Sequence, residues 1–212
     1  MYVGRIVAVG RTPQGTGAAM YRVSSRSFPN RMSVINPQTH SVSIVPKPGF
    51  ESDLSRNPYI AYNCLRQANG MAIVSNGSQT DPVTEKIAAG VPPRDALAGV
   101  MLAMDYEHDS LDTPRITGVV TPDGAHGWLA IVRKDALLVR EFALNPGEAY
   151  YVCTYDRNDP GAAQREPDFT AADAAGACDF ILGGGVFAEF EKPVSAACAV
   201  WHEAGGFEVS IK

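Results

Sequence analysis

A chain of 212 residues, 45% hydrophobic and with a formal net charge of −5, is long enough to bury a core without disulfides or a structural metal, and one domain over residues 1–212 is expected. A sequence pI near 5.3 with only five lysines argues against a nucleic-acid groove, which would make the domain basic. No run reaches the roughly 18 apolar residues of a membrane span, and "MYVGRIVAVG" carries Arg5 where a signal peptide would be apolar, so a cytoplasmic protein without a membrane partner is expected.

In chain order, the valine-rich "YVGRIVAVGR" predicts a first strand, closed by the turn residues of "TPQGTG", and "AAMYRVSSRSF" predicts a second. If Tyr21 to Arg26 is extended, Arg22, Ser24 and Arg26 share one face and Tyr21, Val23 and Ser25 the other. Pro29 ends that strand and lets Asn30 and Arg31 turn back toward the arginine face. Hairpins are predicted around Asn36-Pro37 and around Asn69-Gly70, the latter a strong turn signal.

A helix should open near Asp81 with Pro82 at its first position and stop at Gly90. A second should start at Pro92 or Pro93 and run through "RDALAGVMLAMDY"; being apolar or small on every side over residues 96 to 104, it is expected to be buried between layers. Strands then resume with "RITGVV", a turn at Asp123-Gly124, a hairpin folding at Lys134-Asp135, and "EAYYVCTY". "NDPGAAQREPD" reads as a polar connector, Thr170 with Asp173 as a capping box opening a helix that ends at Gly183 to Gly185, and the tail as a hairpin around Gly205-Gly206. Hairpins beside helices predict an α+β fold in which antiparallel sheets are covered by helical layers.

Charge is distributed unevenly. Residues 1–66 carry eight basic side chains, seven of them arginine, against two acidic ones. Arginine-rich and local means a small anion, because the guanidinium fork matches phosphate or carboxylate oxygens bidentately. "YRVSSRSFPNR" (21–31) contains no acidic partner, and the first acidic residue of the chain is Glu51. A solvated strand face is the plain alternative; like charges on alternate strand positions repel, and a phosphate dianion between them would relieve that.

Three further stretches are more polar than structure alone needs. In "RNPYIAYNCLR" (56–66) Tyr59 is expected to lead a strand with Asn63 on its face, while Cys64 reads as core, no histidine being near in sequence to activate it. In "VSNGSQTD" (74–81) Ser75, Asn76 and Ser78 offer neutral donors beside a helix N-terminus. In "AMDYEHD" (103–109) Asp105, Glu107 and Asp109 gather at the negative end of a helix dipole: either they are exposed, or one carboxylate is held there with a shifted pKa suited to proton transfer. The four cysteines are dispersed, without a C-x-x-C pair, and read as buried free thiols with no metal site. No Walker A loop, G-x-G-x-x-G fingerprint, zinc motif or G-x-S-x-G elbow is present, which leaves cofactor-free acid–base chemistry on a small phosphorylated ligand.

The four motifs "YRVSSRSFPNR", "RNPYIAYNC", "VSNGS.TD" and "AMDYE.D..TPRI", in this order and spacing, resemble the archaeal-type inosine monophosphate (IMP) cyclohydrolase family, with similarity along the whole chain. The resemblance implies a four-layer αββα sandwich similar to N-terminal-nucleophile hydrolases. It implies closure of the second purine ring, converting 5-formamidoimidazole-4-carboxamide ribonucleotide (FAICAR) to IMP with loss of water, no cofactor, and assembly as a homo-oligomer, a tetramer. By motif matching, Arg22 and Arg26 are phosphate or nucleotide contacts, Asn30, Ser75 and Asn76 ligand contacts, and Arg31 with Tyr59 and Asn63 surround the reacting centre. Arg31 or Tyr59 holds the developing oxyanion, and Glu107 or Asp105, with Tyr106 beside it, moves the proton. Met1-Tyr2 departs from the hydrolases by offering no terminal nucleophile, and His108 stands where lysine is expected. Two other readings remain at this point: a non-catalytic purine-nucleotide sensor, and an N-terminal-nucleophile-like amidohydrolase.

Overall fold

The computed structural model describes residues 1–212. The first sheet is antiparallel and six-stranded. Its strands are β1 (Ile6–Arg11), β2 (Gly17–Ser24), β10 (Glu148–Cys153), β11 (Arg165–Glu166), β12 (Pro193–His202) and β13 (Gly206–Ile211), in the order β11-β10-β1-β2-β12-β13. The second is seven-stranded, with β3 (Arg31–Ile35), β4 (Val42–Pro46), β5 (Tyr62–Ala68), β6 (Met71–Ser75), β7 (Arg115–Val120), β8 (His126–Arg133) and β9 (Ala136–Ala143) lying side by side in sequence order. Four helices complete the chain: α1 (Asp53–Arg56), α2 (Thr80–Ala88), α3 (Pro93–Met104) and α4 (Ala174–Gly183).

Three apolar cores fill the spaces between these elements. Val7, Val9, Tyr21 and Val23 of the first sheet meet Ile44, Tyr62, Cys64 and Leu129 of the second. Ala8, Met20, Tyr151 and Cys198, on the other face of the first sheet, pack against Ala177, Cys178 and Ile181 of α4. Ile73, Val119 and Ala130, on the other face of the second sheet, pack against Val83 and Ile87 of α2 and Leu97, Val100 and Met101 of α3. The α+β class is as expected, and the arrangement is compatible with a sandwich. Across the gap between the sheets, Ser33 on β3 and Ser195 on β12 share a buried hydroxyl hydrogen bond of 2.6 Å.

Local chemistry explains the element ends. Asn69 and Gly70 both take positive φ, 48° and 74°, as a two-residue hairpin turn of the primed kind needs. Asn69 Nδ2 also donates to Ile87 O at 2.6 Å, closing the end of α2, where Gly90 at φ 87° stops the helix. The cap of α4 is Asp173 itself, accepting from Gly176 N at 2.7 Å, so Thr170 and Asp173 form no capping box.

Two expectations about layers need correction. α3 covers the outer face of the second sheet only: Ala96, Leu97, Val100 and Met101 are buried, whereas Leu102 is 75% exposed. An all-round apolar pattern cannot say which stripe a sheet will cover. Tyr59 lies in a single 3₁₀ turn, Pro58–Ile60, capped by Asn57 Oδ1, and so precedes β5 rather than leading it.

Candidate active site

A cleft of about 370 Å³ opens at one end of the sheets. Arg31 and Glu107 are at its floor, Tyr2, Phe28, Tyr59 and Tyr155 form its aromatic walls, and Ser25, Arg26, Ser27 and Asn57 complete its polar rim. Each comes from the end of a strand, from a loop or, for Tyr59, from the 3₁₀ turn, where side chains can converge without interrupting a ladder.

The Ser25 hydroxyl accepts from Phe28 N at 3.0 Å, which folds the segment after β2 into a turn and brings Arg31, the first residue of β3, back beneath it. Arg31 is 3% exposed and spends only its Nε, on Phe28 O at 3.1 Å. Its two terminal nitrogens have no partner in the chain. Arg26 is solvent-facing: its guanidinium stacks over the Tyr2 ring at 4.2 Å and reaches Glu191 at 3.5 Å.

Arg5 enters the cleft just before β1. Gly4 makes this possible: it takes φ 74°, and a side chain there would strike Thr154 Oγ1 and the Tyr155 ring. Burial works against the Arg5 charge, yet Tyr155 and Glu107 hold its value above the usual arginine range. Behind Arg5 and Arg31, the buried hydroxyls of Tyr21 and Tyr62 meet at 2.5 Å.

Glu107 is the centre of the arrangement. It is 2% exposed and held by its backbone, whose N–H donates to Thr113 O at 2.8 Å. Asp109 shapes the loop that brings it there, accepting from Thr113 N at 3.0 Å and from Thr113 Oγ1 at 2.8 Å. Arg5 approaches one carboxylate oxygen at 3.6 Å and Arg115 the other at 3.5 Å, distances of ion pairing without a made hydrogen bond. Glu107 Oε1 is buried without a hydrogen-bond partner, as is Arg5 Nε. Burial pushes the Glu107 carboxyl up to about 7, against the pull of Arg5, Arg115 and Arg31. A carboxyl poised near neutrality, short of hydrogen bonds and facing a cavity, can give or take a proton.

Of the residues singled out in the sequence, Arg26, Arg31, Tyr59, Glu107 and Asp109 line this cleft. The others lie elsewhere. Arg22 points to the opposite face of the first sheet, is fully buried, and donates to the carbonyls of Ile181, Leu182, Phe187, Phe190 and Glu191. Its Nε is taken by Ser24 Oγ at 2.9 Å, so no donor is left for a ligand. Asn63 faces α2, giving its amide to Asp81 Oδ1 at 2.9 Å and accepting from Ser43 at 2.6 Å. Ser75 is closed on Gly77 O and Thr80, and Asn76 on Pro114 O and Ile116 N, so both hold the β6–α2 and β7 backbone together. Asn30 gives its carbonyl to Lys47 N and lies outside the cleft lining. Asp105 caps Tyr106 N and pairs with exposed His108, against whose ring Tyr106 rests.

Arg5, Tyr2 and Tyr155 reach the cleft without having been assigned to it from sequence. Gly4 before an arginine was a usable signal, since a glycine inside a valine-rich strand pattern marks a close approach. Tyr155 carried none: its place follows from the pairing of β1 with β10.

A buried cationic and aromatic cleft around a carboxyl near neutrality has the chemistry of an enzyme site for a small anionic ligand. The family described as IMP cyclohydrolase-like protein matches residues 2–205. Proteins named IMP cyclohydrolase are similar throughout: that of Methanosphaera stadtmanae is 46% identical over 94% of both chains, and that of Methanocella arvoryzae 46% identical over 94% of this chain and 92% of its own. That of Halobacterium salinarum is 49% identical over 82% of each. The chain belongs to the IMP cyclohydrolase-like family.

Proposed function

We propose that this cleft converts FAICAR to IMP, with Glu107 and Arg31 at the reacting centre. The carboxamide nitrogen attacks the formyl carbon on the same imidazole, the formyl oxygen takes up negative charge and then a proton, and water leaves as the second ring closes. Both reacting groups are already joined, so holding the rotamer that brings them together supplies much of the rate. The unpartnered terminal nitrogens of Arg31, or the Tyr59 hydroxyl across the cleft, stabilise the oxyanion. Glu107 takes one proton from the attacking carboxamide nitrogen and passes it to the oxyanion, then takes the formamido N–H proton and gives it to the departing hydroxyl, so that the ring C=N bond forms as water leaves; a carboxyl near neutrality is suited to both transfers. Arg26 with Ser25 and Ser27 receives the 5′-phosphate at the rim, and the tyrosine walls flank the imidazole.

The observation that carries this reading is the buried, hydrogen-bond-deficient Glu107 carboxylate beside Arg31 at the cleft floor. The deciding experiment is to add FAICAR to metal-stripped protein and follow absorbance. Rapid formation of IMP is expected; absence of turnover with tight IMP binding would reject catalysis.

In the same reading the chain is a single cytoplasmic domain with a four-layer αββα sandwich like that of N-terminal-nucleophile hydrolases. It has neither nucleic acid nor membrane as a partner, and no helix is long and apolar enough to cross one. Assembly as a homo-tetramer fits the family resemblance, and sedimentation in solution tests it.

A further inference from the structure

Arg115, the first residue of β7, does not line the cleft, yet its guanidinium touches four groups at the cleft's back. Nε donates to Asp105 O at 2.9 Å, and Nη1 donates to Gln79 Oε1 at 3.1 Å and lies 3.5 Å from Glu107 Oε1. Its carbon centre stands 5.7 Å from the centroid of the Tyr59 ring. The arginine is itself fixed from behind, because Gln79 Nε2 donates to Asn76 Oδ1 at 2.9 Å and to Ile116 O at 3.2 Å.

Two backbone features are built around this contact. Asp105 ends α3 at φ 56° and ψ −178°, a region that only glycine enters without a cost of about 1–3 kcal/mol. Its carbonyl is the one Arg115 holds, and Glu107 follows two residues on. Gly77 has no side chain where Gln79 Oε1, Arg115 Nη1 and Glu107 Oε1 converge: a Cβ there would lie 2.6, 2.8 and 3.2 Å from them.

We propose that Arg115 is a positioning residue for ring closure: it pins the strained turn at Asp105, sets the orientation and charge of Glu107, and braces the face of Tyr59. This rests on the reading of Glu107 as the proton-transfer group. The charges facing Glu107 are Arg5 ahead of β1, Arg31 on β3, Arg115 on β7 and Asp109 on its own loop, and the first three favour its ionised form. Of these three, only Arg115 is kept out of the cleft and contacts Tyr59 as well.

The test is the pH profile of FAICAR cyclisation by Arg115→Met and Arg115→Lys. Loss of the cation should move the Glu107 inflection upward from near pH 7 by about one unit and lower kcat more than it raises KM, while Arg115→Lys restores the inflection. In the Glu107→Gln background, Arg115→Met should cause little further loss, since the two act as a unit. An unshifted inflection, or losses that multiply, would overturn the proposal. Should Arg115→Met not fold, Arg115→Gln, which keeps a polar side chain but removes the cation, serves in its place; the same upward shift is expected, and its absence is equally decisive. Full activity in Glu107→Gln would instead reject the reading on which the inference rests.

Discussion

Arg22 and Arg31 lie nine positions apart in one polar stretch, both are buried, and they serve different ends. Around Arg22, on the α4 side of the first sheet, five backbone carbonyls and a serine hydroxyl consume the donors, so the guanidinium closes the end of α4 and the segment after it onto β2. Without a carboxylate beside it, burial lowers its value to about 10. Around Arg31, in the cleft, one carbonyl is met, the remaining donors face a cavity, and the carboxylate nearby is also short of partners. A buried charge whose acceptors are all supplied by the chain is structural; one left incomplete at a cavity is ready for a ligand.

The largest effect that this contrast predicts is on chemistry. Glu107→Gln should lower kcat by about 10²–10⁴-fold while the protein stays folded, as read by turnover beside a thermal melt. Arg22→Met should do the reverse: leaving several carbonyls unsatisfied should cost about 3 kcal/mol or more, seen in denaturant unfolding, with kcat and KM of the folded protein nearly unchanged. If Arg22→Met instead weakened FAICAR binding at full stability, the distinction between the two arginines would collapse.

A smaller effect concerns pH and stability. Glu107 binds its proton up to about pH 7 when folded, against 4.5 ordinarily, so between these values the folded chain holds more protons than the unfolded one. Its contribution to stability is therefore complete below pH 4.5 and is lost as pH rises through 7. Relative to the native chain, Glu107→Gln should gain of order 1–3 kcal/mol in unfolding free energy between pH 5 and pH 8. A constant difference across that range would contradict a strained, desolvated carboxyl.

The smallest effect is at the turn before it. Asp105→Gly should relieve the unfavourable backbone and stabilise by roughly 1 kcal/mol, while activity falls severalfold because the loop carrying Glu107 loosens. Stability gained with no change in kcat would mean that the strained turn does nothing for the site.

Much of this was legible from the order of residues. The Asn69-Gly70 turn, the Gly90 stop and the run of hairpins follow from backbone preferences acting over two to four residues, which tertiary packing has little reason to override. The arginine excess without acidic partners pointed to a small anion, and the carboxylates set against the helix dipole at 105–109 included the residue that is buried in the cleft. Strand periodicity also separated Arg22 from Tyr21 and Val23 correctly.

What periodicity does not contain is the identity of the layer each face meets. Motif matching to the family places Arg22, Asn63, Ser75 and Asn76 at the ligand, but α4, α2 and β7 supply their partners here, and those elements come from distant parts of the chain. For the same reason Arg5, Tyr155 and Arg115 reach the site only through the pairing of β1 with β10 and the stacking of two sheets. Sequence alone determined the local elements and the kind of chemistry, because both depend on residue type at short range. Tertiary structure decided which charges are enclosed by carbonyls and which face an open cavity, because desolvation and hydrogen-bond completion exist only once the layers have closed.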